Sequence, residues 1–275
     1  MEIKFAKMNA SGNDFIVIDN REGFFKSGLN GLSKRLCERK ISVGADGLLV
    51  IEKSAKADFG LKIFNPDGSR AQMCGNGSRC AARYAFSEGL AGSKMRIETL
   101  AGIIEASVSG GRVRVKLSDP VDMKLDFSIV LEGAGQKVSF INTGVPHAVI
   151  FVEKDIDGVD VEGKGRLIRY HPAFKPQGTN VDFVRIKGRD SISVRTYERG
   201  VEGETLSCGT GSVASAIIGG IQFGLKTPVK VLTRGGETLK VDYSIKAGKP
   251  VSGVYLEGGA EEVFRGSLNK GKKRR

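Results

Sequence analysis

Cys74-Gly75-Asn76-Gly77-Ser78 returns 134 residues later as Cys208-Gly209-Thr210-Gly211-Ser212. The same offset sets Thr99 on Thr233 and Gly102 on Gly236 without a gap. A looser echo lies upstream, where Asn13-Asp14-Phe15 resembles Asn180-Val181-Asp182-Phe183. A chain made of two copies of one unit is tightly constrained, because a fold that suits one half must suit the other. Two related halves are expected to face each other across a pseudo-two-fold cleft, with equivalent residues approaching it from opposite sides.

The repeated unit reads as Cys-Gly-x-Gly-Ser opening a helix, then a strand ending in Thr, then a Gly turn. In the first half, apolar content and alternation predict strands at 2–7, 15–19, 48–52, 59–64, 96–99, 103–108 and 113–117. Helical spacing covers 29–39 and 76–88, the latter stopped by Gly89. After the Asp119-Pro120 turn the pattern begins again. Strands are expected at 138–142, 148–152, 181–186, 191–197, 229–233, 238–243 and 251–257, and a helix at 210–223. Runs of strands with a single central helix per half predict an α+β fold rather than a doubly wound parallel sheet. The crossover places one domain at 1–118 and the other at 119–261.

Composition narrows the function classes. With 40% hydrophobic and 27% charged residues over 275 positions, the chain can bury a sizeable core, which excludes disorder, collagen and coiled coil. No apolar run approaches the ~20 residues that span a membrane, and the N-terminus carries no apolar stretch of the secretory kind. Four cysteines are too few for a disulfide scaffold of this size, so reduced thiols in the cytoplasm are expected. Of the net charge of +12, five units come from the last six residues, Lys270–Arg275. The rest is spread without a basic helix, no nucleic-acid-binding motif appears and Trp is absent. A nucleic-acid partner is therefore not expected, and the tail reads as a frayed terminus.

Each repeated cysteine precedes a glycine-rich segment that opens a helix. Unpaired N–H groups and the positive helix end stabilise a thiolate there and form a cradle for a carboxylate. Two such devices facing one another suit two-base racemisation, in which one thiolate removes a proton from a stereocentre and the opposite thiol returns one to the other face. Cys37 and Cys80 read as inert buried thiols. The Cys74–Cys80 spacing is not that of a metal site and the two histidines stand alone, so no metal is expected. On oxidation, Cys74 and Cys208 facing each other could form a disulfide, an inactive form.

The chain resembles the diaminopimelate epimerase family over nearly its whole length. The blocks that carry the resemblance are Met8–Phe15, Gly44–Gly47, Phe64–Ser69, Met73–Arg79, Gly144–Val149, Gly178–Phe183 and Tyr197–Gly200 followed by the second cysteine motif. The resemblance implies two pseudo-symmetric α+β domains, each a mostly antiparallel sheet around a central helix, with the last strand, from about residue 262, returning to the first domain. It implies a cofactor-independent enzyme that interconverts LL- and meso-diaminopimelate in lysine and cell-wall precursor biosynthesis, as a homodimer. Cys74 and Cys208 would be the acid–base pair, with His147 and Glu198 tuning the thiols. Asn13, Asn65, Asn180, Glu198 and Arg199 would hold the substrate. Gly75 and Asn76, with Gly209 and Thr210, would supply the N–H cradles, Gly77 and Gly211 lying beside them. Two further contacts fall where this chain has Gly47 and Val145, positions at which some family members carry Gln and Asn.

Read alone, several of these residues have plainer roles. Asn13 and Asn65 serve equally as turn residues, His147 as a satisfied strand-edge histidine, and Glu198-Arg199 as an exposed ion pair. His171 matches nothing and reads as structural. The enzymatic rival is a pyridoxal-independent racemase of another amino acid, such as histidine, because Gly47 and Val145 remove polar groups from the distal end of the site. A basic binding module is a remote third reading. It predicts salt-dependent nucleic-acid binding lost on deleting Lys270–Arg275.

Overall fold

Val, Ile, Leu and Phe alternate with polar residues through most of the chain, and the backbone answers mainly with strands. The computed structural model describes residues 2–153, 155–246 and 248–269. The first run is β1 (Glu2–Ala10), β2 (Asn13–Asp19), α1 (Leu29–Cys37), β3 (Gly47–Glu52), β4 (Phe59–Phe64), β5 (Arg70–Ala71), α2 (Gly75–Ser87), β6 (Lys94–Thr99), β7 (Gly102–Ser109) and β8 (Arg112–Lys116). The second is β9 (Val121–Leu131), β10 (Ala134–Asn142), β11 (Pro146–Phe151), α3 (Val161–Arg169), β12 (Asn180–Gly188), β13 (Ser191–Glu198), β14 (Gly203–Thr205), α4 (Gly209–Phe223), β15 (Val229–Leu232), β16 (Thr238–Ser244) and β17 (Ser252–Gly259). A last strand, β18 (Glu261–Asn269), follows. The basic tail Lys270–Arg275 lies outside the described residues.

The described residues form two units. One comprises the chain up to Val115 and resumes at Gly258; the other is Lys116–Glu257. In the first, β1 lies between β18 and β2, antiparallel to both. The order continues β2–β3 parallel, β3–β4 antiparallel, β4–β6 parallel and β6–β7–β8 antiparallel, with β5 adding a short pairing to β4. In the second, β10 lies between β9 and β11. The order then runs β11–β12 parallel, β12–β13 antiparallel, β13–β15 parallel and β15–β16–β17 antiparallel, with β14 on β13. Strand for strand the two orders are the same. A parallel pair needs a crossover connection, and helices supply it at equivalent places: α1 and α3 for the first parallel pair, α2 and α4 for the second.

The expected α+β architecture is what the chain adopts, with a mostly antiparallel sheet around one helix in each unit. The sequence of α4 explains its central place. Residues Gly211–Gly219 are all buried, as suits a helix apolar all round, and it packs against β10, β11, β12, β13, β15 and β16. α2 packs against β1, β2, β3, β4, β7 and β18. The outer helices close second cores. Leu29, Leu32 and Leu36 of α1 meet Ile16, Leu48 and Phe64, and Val161 and Ile168 of α3 meet Ile150, Phe183 and Tyr197. Each such fully buried side chain stabilises the fold by roughly 1.5–3 kcal/mol.

Three expectations are corrected. The second unit holds α3 besides its central helix. Its glycines hid it, since Gly lowers helix propensity, yet close packing demands one of them: a Cβ at Gly165 would stand 2.5 Å from the Cβ of Tyr197. β9 was also missed. Asp122 and Asp126 have positive φ (53° and 48°) and its pairing with β10 shifts register twice, which breaks the two-residue period by which a strand is read. Finally, the Asn13 and Asn180 echo is not part of the repeat. Asn13 opens β2 and Asn180 opens β12, whereas the counterpart of β12 is β3. It is Asp14 and His147 that hold like places, each the second residue of β2 and of β11.

Candidate active site

The junctions at Cys74 and Cys208 are built alike. Each cysteine is extended (φ −144° and −118°) and caps the helix that follows. Its Sγ accepts the backbone N–H of the third residue on, Gly77 or Gly211, at 3.4 Å in both. A thiol thus stands where Ser, Asp or Asn usually caps a helix. The first-turn N–H groups of Gly75 and Asn76, and of Gly209 and Thr210, have no carbonyl of their own helix to meet. With the positive helix end they favour a bound carboxylate or a thiolate. The backbone repeats around the caps as well. Ala101 N–H meets the Gln72 carbonyl at 3.3 Å, and 134 residues on Gly235 N–H meets that of Leu206 at 2.8 Å.

The side chains around the two caps differ. In the first unit Cys74 is half-buried. The buried Asn76 donates Nδ2 to Asn13 Oδ1 at 2.6 Å, and Asn13 donates Nδ2 to Asp46 Oδ2 at 3.2 Å. Arg39 grips Asp46 at 2.8 Å and Asp14 at 2.6 Å, and the buried Lys7 stands 2.7 Å from Asp14. Burial pushes the Asp14 carboxyl up, but hydrogen bonds from Arg39 and Lys7 outweigh it and hold the group at about 2. Asn65 stands apart at its own exposed turn, its Nδ2 given to Ser69 Oγ at 2.9 Å and its carbonyl taking the N–H of Gly68.

In the second unit Cys208 is buried. Its Sγ lies 3.4 Å from Thr210 Oγ1, which lies 2.9 Å from His147 Nε2; His147 Nδ1 lies 2.7 Å from Asp182 Oδ2. Asp182 takes a second hydrogen bond, from Thr196 Oγ1, at 2.7 Å. Asn180 donates to the Pro146 carbonyl at 3.0 Å and accepts the Arg199 N–H at 2.8 Å. Burial pushes the Cys208 thiol well above its usual range. The Glu198 and Asp182 carboxylates add to the shift, against the Thr210 hydroxyl and Gly211 N–H. Burial also raises Glu198, beyond what the nearby Thr205 hydroxyl and His147 take back.

His147, Glu198 and Thr210 thus stand about Cys208, with Asn180 beside His147; Arg199 reaches Asn180 through its backbone N–H while its guanidinium donates to the Gln177 carbonyl at 3.2 Å. Asn13 and Asn76 join each other beside Cys74. Gly47 has a packing role: a Cβ there would meet the Phe64 carbonyl at 3.0 Å and the Phe15 ring at 3.2 Å. Val145 lies in the turn between β10 and β11, its carbonyl taking the Thr143 N–H at 3.1 Å. Burial pushes Cys37 and Cys80 up. His171 caps a short 3₁₀ turn through the Ala173 N–H. Sequence reasoning passed over Asp46, Asp182 and Thr196. For Asp182 a partial signal existed: Asn180 and Asp182 alternate with Val181 and Phe183, so they share a face of the strand.

The sequence pattern of the diaminopimelate epimerase family matches residues 5–121 and 139–262. The chain belongs to the diaminopimelate epimerase family. Relatives in the family include the diaminopimelate epimerases of Aquifex aeolicus, 46% identical over 98% of both chains, and of Hydrogenobaculum sp., 48% identical over 96% of this chain and 97% of its own. That of Archaeoglobus fulgidus is 44% identical over 98% of this chain and 97% of its own. The fold recurs in a PhzF-family phenazine biosynthesis protein from Bacillus anthracis (TM-score 0.76, 15% identity, 98% of this chain and 99% of that one). It recurs also in a probable proline racemase from Agrobacterium radiobacter K84 (TM-score 0.72, 15% identity, 99% and 94%). At these identities the likeness is one of fold. Among the described residues no cluster of His, Cys, Asp and Glu could hold a metal ion, and no helix is long and apolar enough to cross a membrane.

Proposed function

We propose that the chain interconverts LL- and meso-diaminopimelate by proton transfer at the α-carbon, between Cys74 and Cys208. The pair of helix-capping thiols, alike in backbone and unlike in surroundings, carries this reading, together with the full-length relatives in the epimerase family. Cys74 as thiolate takes the α-proton and the electron pair left on carbon spreads into the carboxylate. That charge is met by N–H groups of Gly75 and Asn76 and of Gly209 and Thr210. Cys208, whose surroundings favour the protonated thiol, delivers a proton to the other face, and the roles exchange on the return reaction. Asn13, Asn65, Asn180 and Arg199 hold the amino and carboxylate groups, and Glu198 and His147 tune the thiols. The same reading carries a cytoplasmic homodimer; four free cysteines suit a reducing compartment.

Proton NMR with LL-diaminopimelate in deuterated buffer, under reductant, tests it. Loss of the α-proton signal with appearance of the meso isomer is expected. Exchange with L-histidine alone would overturn the substrate assignment and favour the racemase rival, for which Gly47 offers no polar side chain toward a distal substrate group.

A further inference from the structure

Every hydrogen bond in the Cys208 network has its direction fixed by a group that can act in only one way. The Arg199 N–H can only donate and the Pro146 carbonyl can only accept, so the Asn180 amide has one orientation, with Nδ2 also 3.5 Å from His147 Nε2. The Asp182 carboxylate, fully buried, can only accept, so Nδ1 of His147 carries a proton. Nε2 is then the bare nitrogen, with two donors aimed at it, Asn180 Nδ2 and the Thr210 hydroxyl. With its hydrogen spent on Nε2, Thr210 Oγ1 is left to accept from the Cys208 thiol.

We infer that Asp182 is a positioning residue for the reaction, holding His147 in the tautomer that lets Thr210 relay the Cys208 proton to Nε2. This rests on the reading of Cys208 as an acid–base thiol. The step balances: the S–H bond of Cys208 breaks as an Oγ–H bond forms on Thr210, whose own hydrogen passes to Nε2. The products are a thiolate, an unchanged hydroxyl and an imidazolium whose Nδ1–H faces the Asp182 carboxylate. The arrangement follows the logic by which a carboxylate orients a histidine that activates a nucleophile. The pairing leaves a mark on the motif itself, because a Cβ at Gly211 would stand 2.3 Å from Asp182 Oδ1. Among the described residues, the titratable groups about Cys208 are Asp182 from β12, Glu198 from β13 and His147 from β11. Tyr243 from β16 meets α4 further along, at the Ala216 carbonyl.

The test reads thiol ionisation directly, by iodoacetamide alkylation of the full chain as a function of pH. Cys208 and Cys74 are quantified by mass spectrometry from one digest. As a bare neighbouring charge Asp182 opposes the thiolate, so Asp182→Asn would speed Cys208 alkylation. As partner of His147 it favours ionisation, so the same variant slows it. Slowing of about tenfold near neutral pH is expected, with a like effect of Thr210→Val, recovery in Thr210→Ser and no change at Cys74. Faster or unchanged Cys208 alkylation in Asp182→Asn, with the fold verified by circular dichroism, would overturn the proposal. Should that variant fail to fold, Thr210→Val against Thr210→Ser decides by the same criterion. No amino acid is present, so the outcome is independent of whether diaminopimelate is the substrate.

Discussion

Around Cys74 the polar side chains are amides and fixed charges: Asn76, Asn13, Asp46, Arg39, Asp14 and Lys7. Around Cys208 stand a hydroxyl, an imidazole and two carboxylates: Thr210, His147, Asp182 and Glu198. The backbone beneath is the same in both, down to the 3.4 Å bond from the glycine N–H to sulfur. Duplication thus supplies the geometry, and divergence of a few side chains supplies the chemical inequality that two-base transfer needs. The like-placed Asp14 and His147 show this most clearly. One is tied to Lys7 and Arg39 as a permanent anion; the other sits between a carboxylate and a hydroxyl.

The largest effect expected is on turnover. Cys74→Ala and Cys208→Ala should each lower diaminopimelate interconversion about a thousandfold. Loss in one variant with normal turnover in the other would break the pairing of the two caps. The motif glycines come next. Gly211→Ala forces a Cβ against a buried carboxylate and should cost about 3 kcal/mol. At Gly77 a Cβ meets a Leu49 methyl at 3.1 Å. That methyl can move and Ala favours the helix by about 1 kcal/mol, so the net change should lie near zero; urea denaturation compares the two.

The carboxylates should differ in sign. Asp14 is held at about 2 against an ordinary 3.8. Discounted for solvent screening, it therefore contributes about 1 kcal/mol above pH 4, lost as the pH falls toward 2. Asp14→Asn should be destabilised by that amount at pH 7 and unaffected near pH 2. Glu198 is raised, so its contribution is present below its usual value and is lost as the pH rises through the folded one. Glu198→Gln should therefore be more stable than the parent at pH 7, with the gain vanishing in acid. The smallest contrast is in reactivity. At pH 8 the half-buried Cys74 should alkylate about tenfold faster than Cys208 in the unmodified chain, and equal rates would erase the distinction between the caps.

Much of this was legible because repetition is. Cys-Gly-x-Gly-Ser, twice in register with Thr and Gly downstream, fixed both central helices and the class of fold. Local signals gave most of the long strands, though not β9, to within a few residues. Features that depend on tertiary contact were not legible. The glycines of α3 argue against a helix until Tyr197 is seen packed on Gly165, and the aspartates of β9 break its period. Asp182 reads as a solvent-facing charge in an apolar strand until His147 and Thr196 are brought to it. The two capping thiols could be named from their motif, whereas the carboxylates that add to the upward shift of Cys208 sit on two other strands, β12 and β13.

The pairing of β18 with β1, from Glu2 with Asn269 to Asn9 with Glu261, has a consequence for the order of biosynthesis. The second unit is one continuous stretch and has all its strands once residue 259 has left the ribosome. The first unit, although made first, waits with one side of β1 open until the final strand emerges, so the younger half of the nascent chain completes itself before the older one.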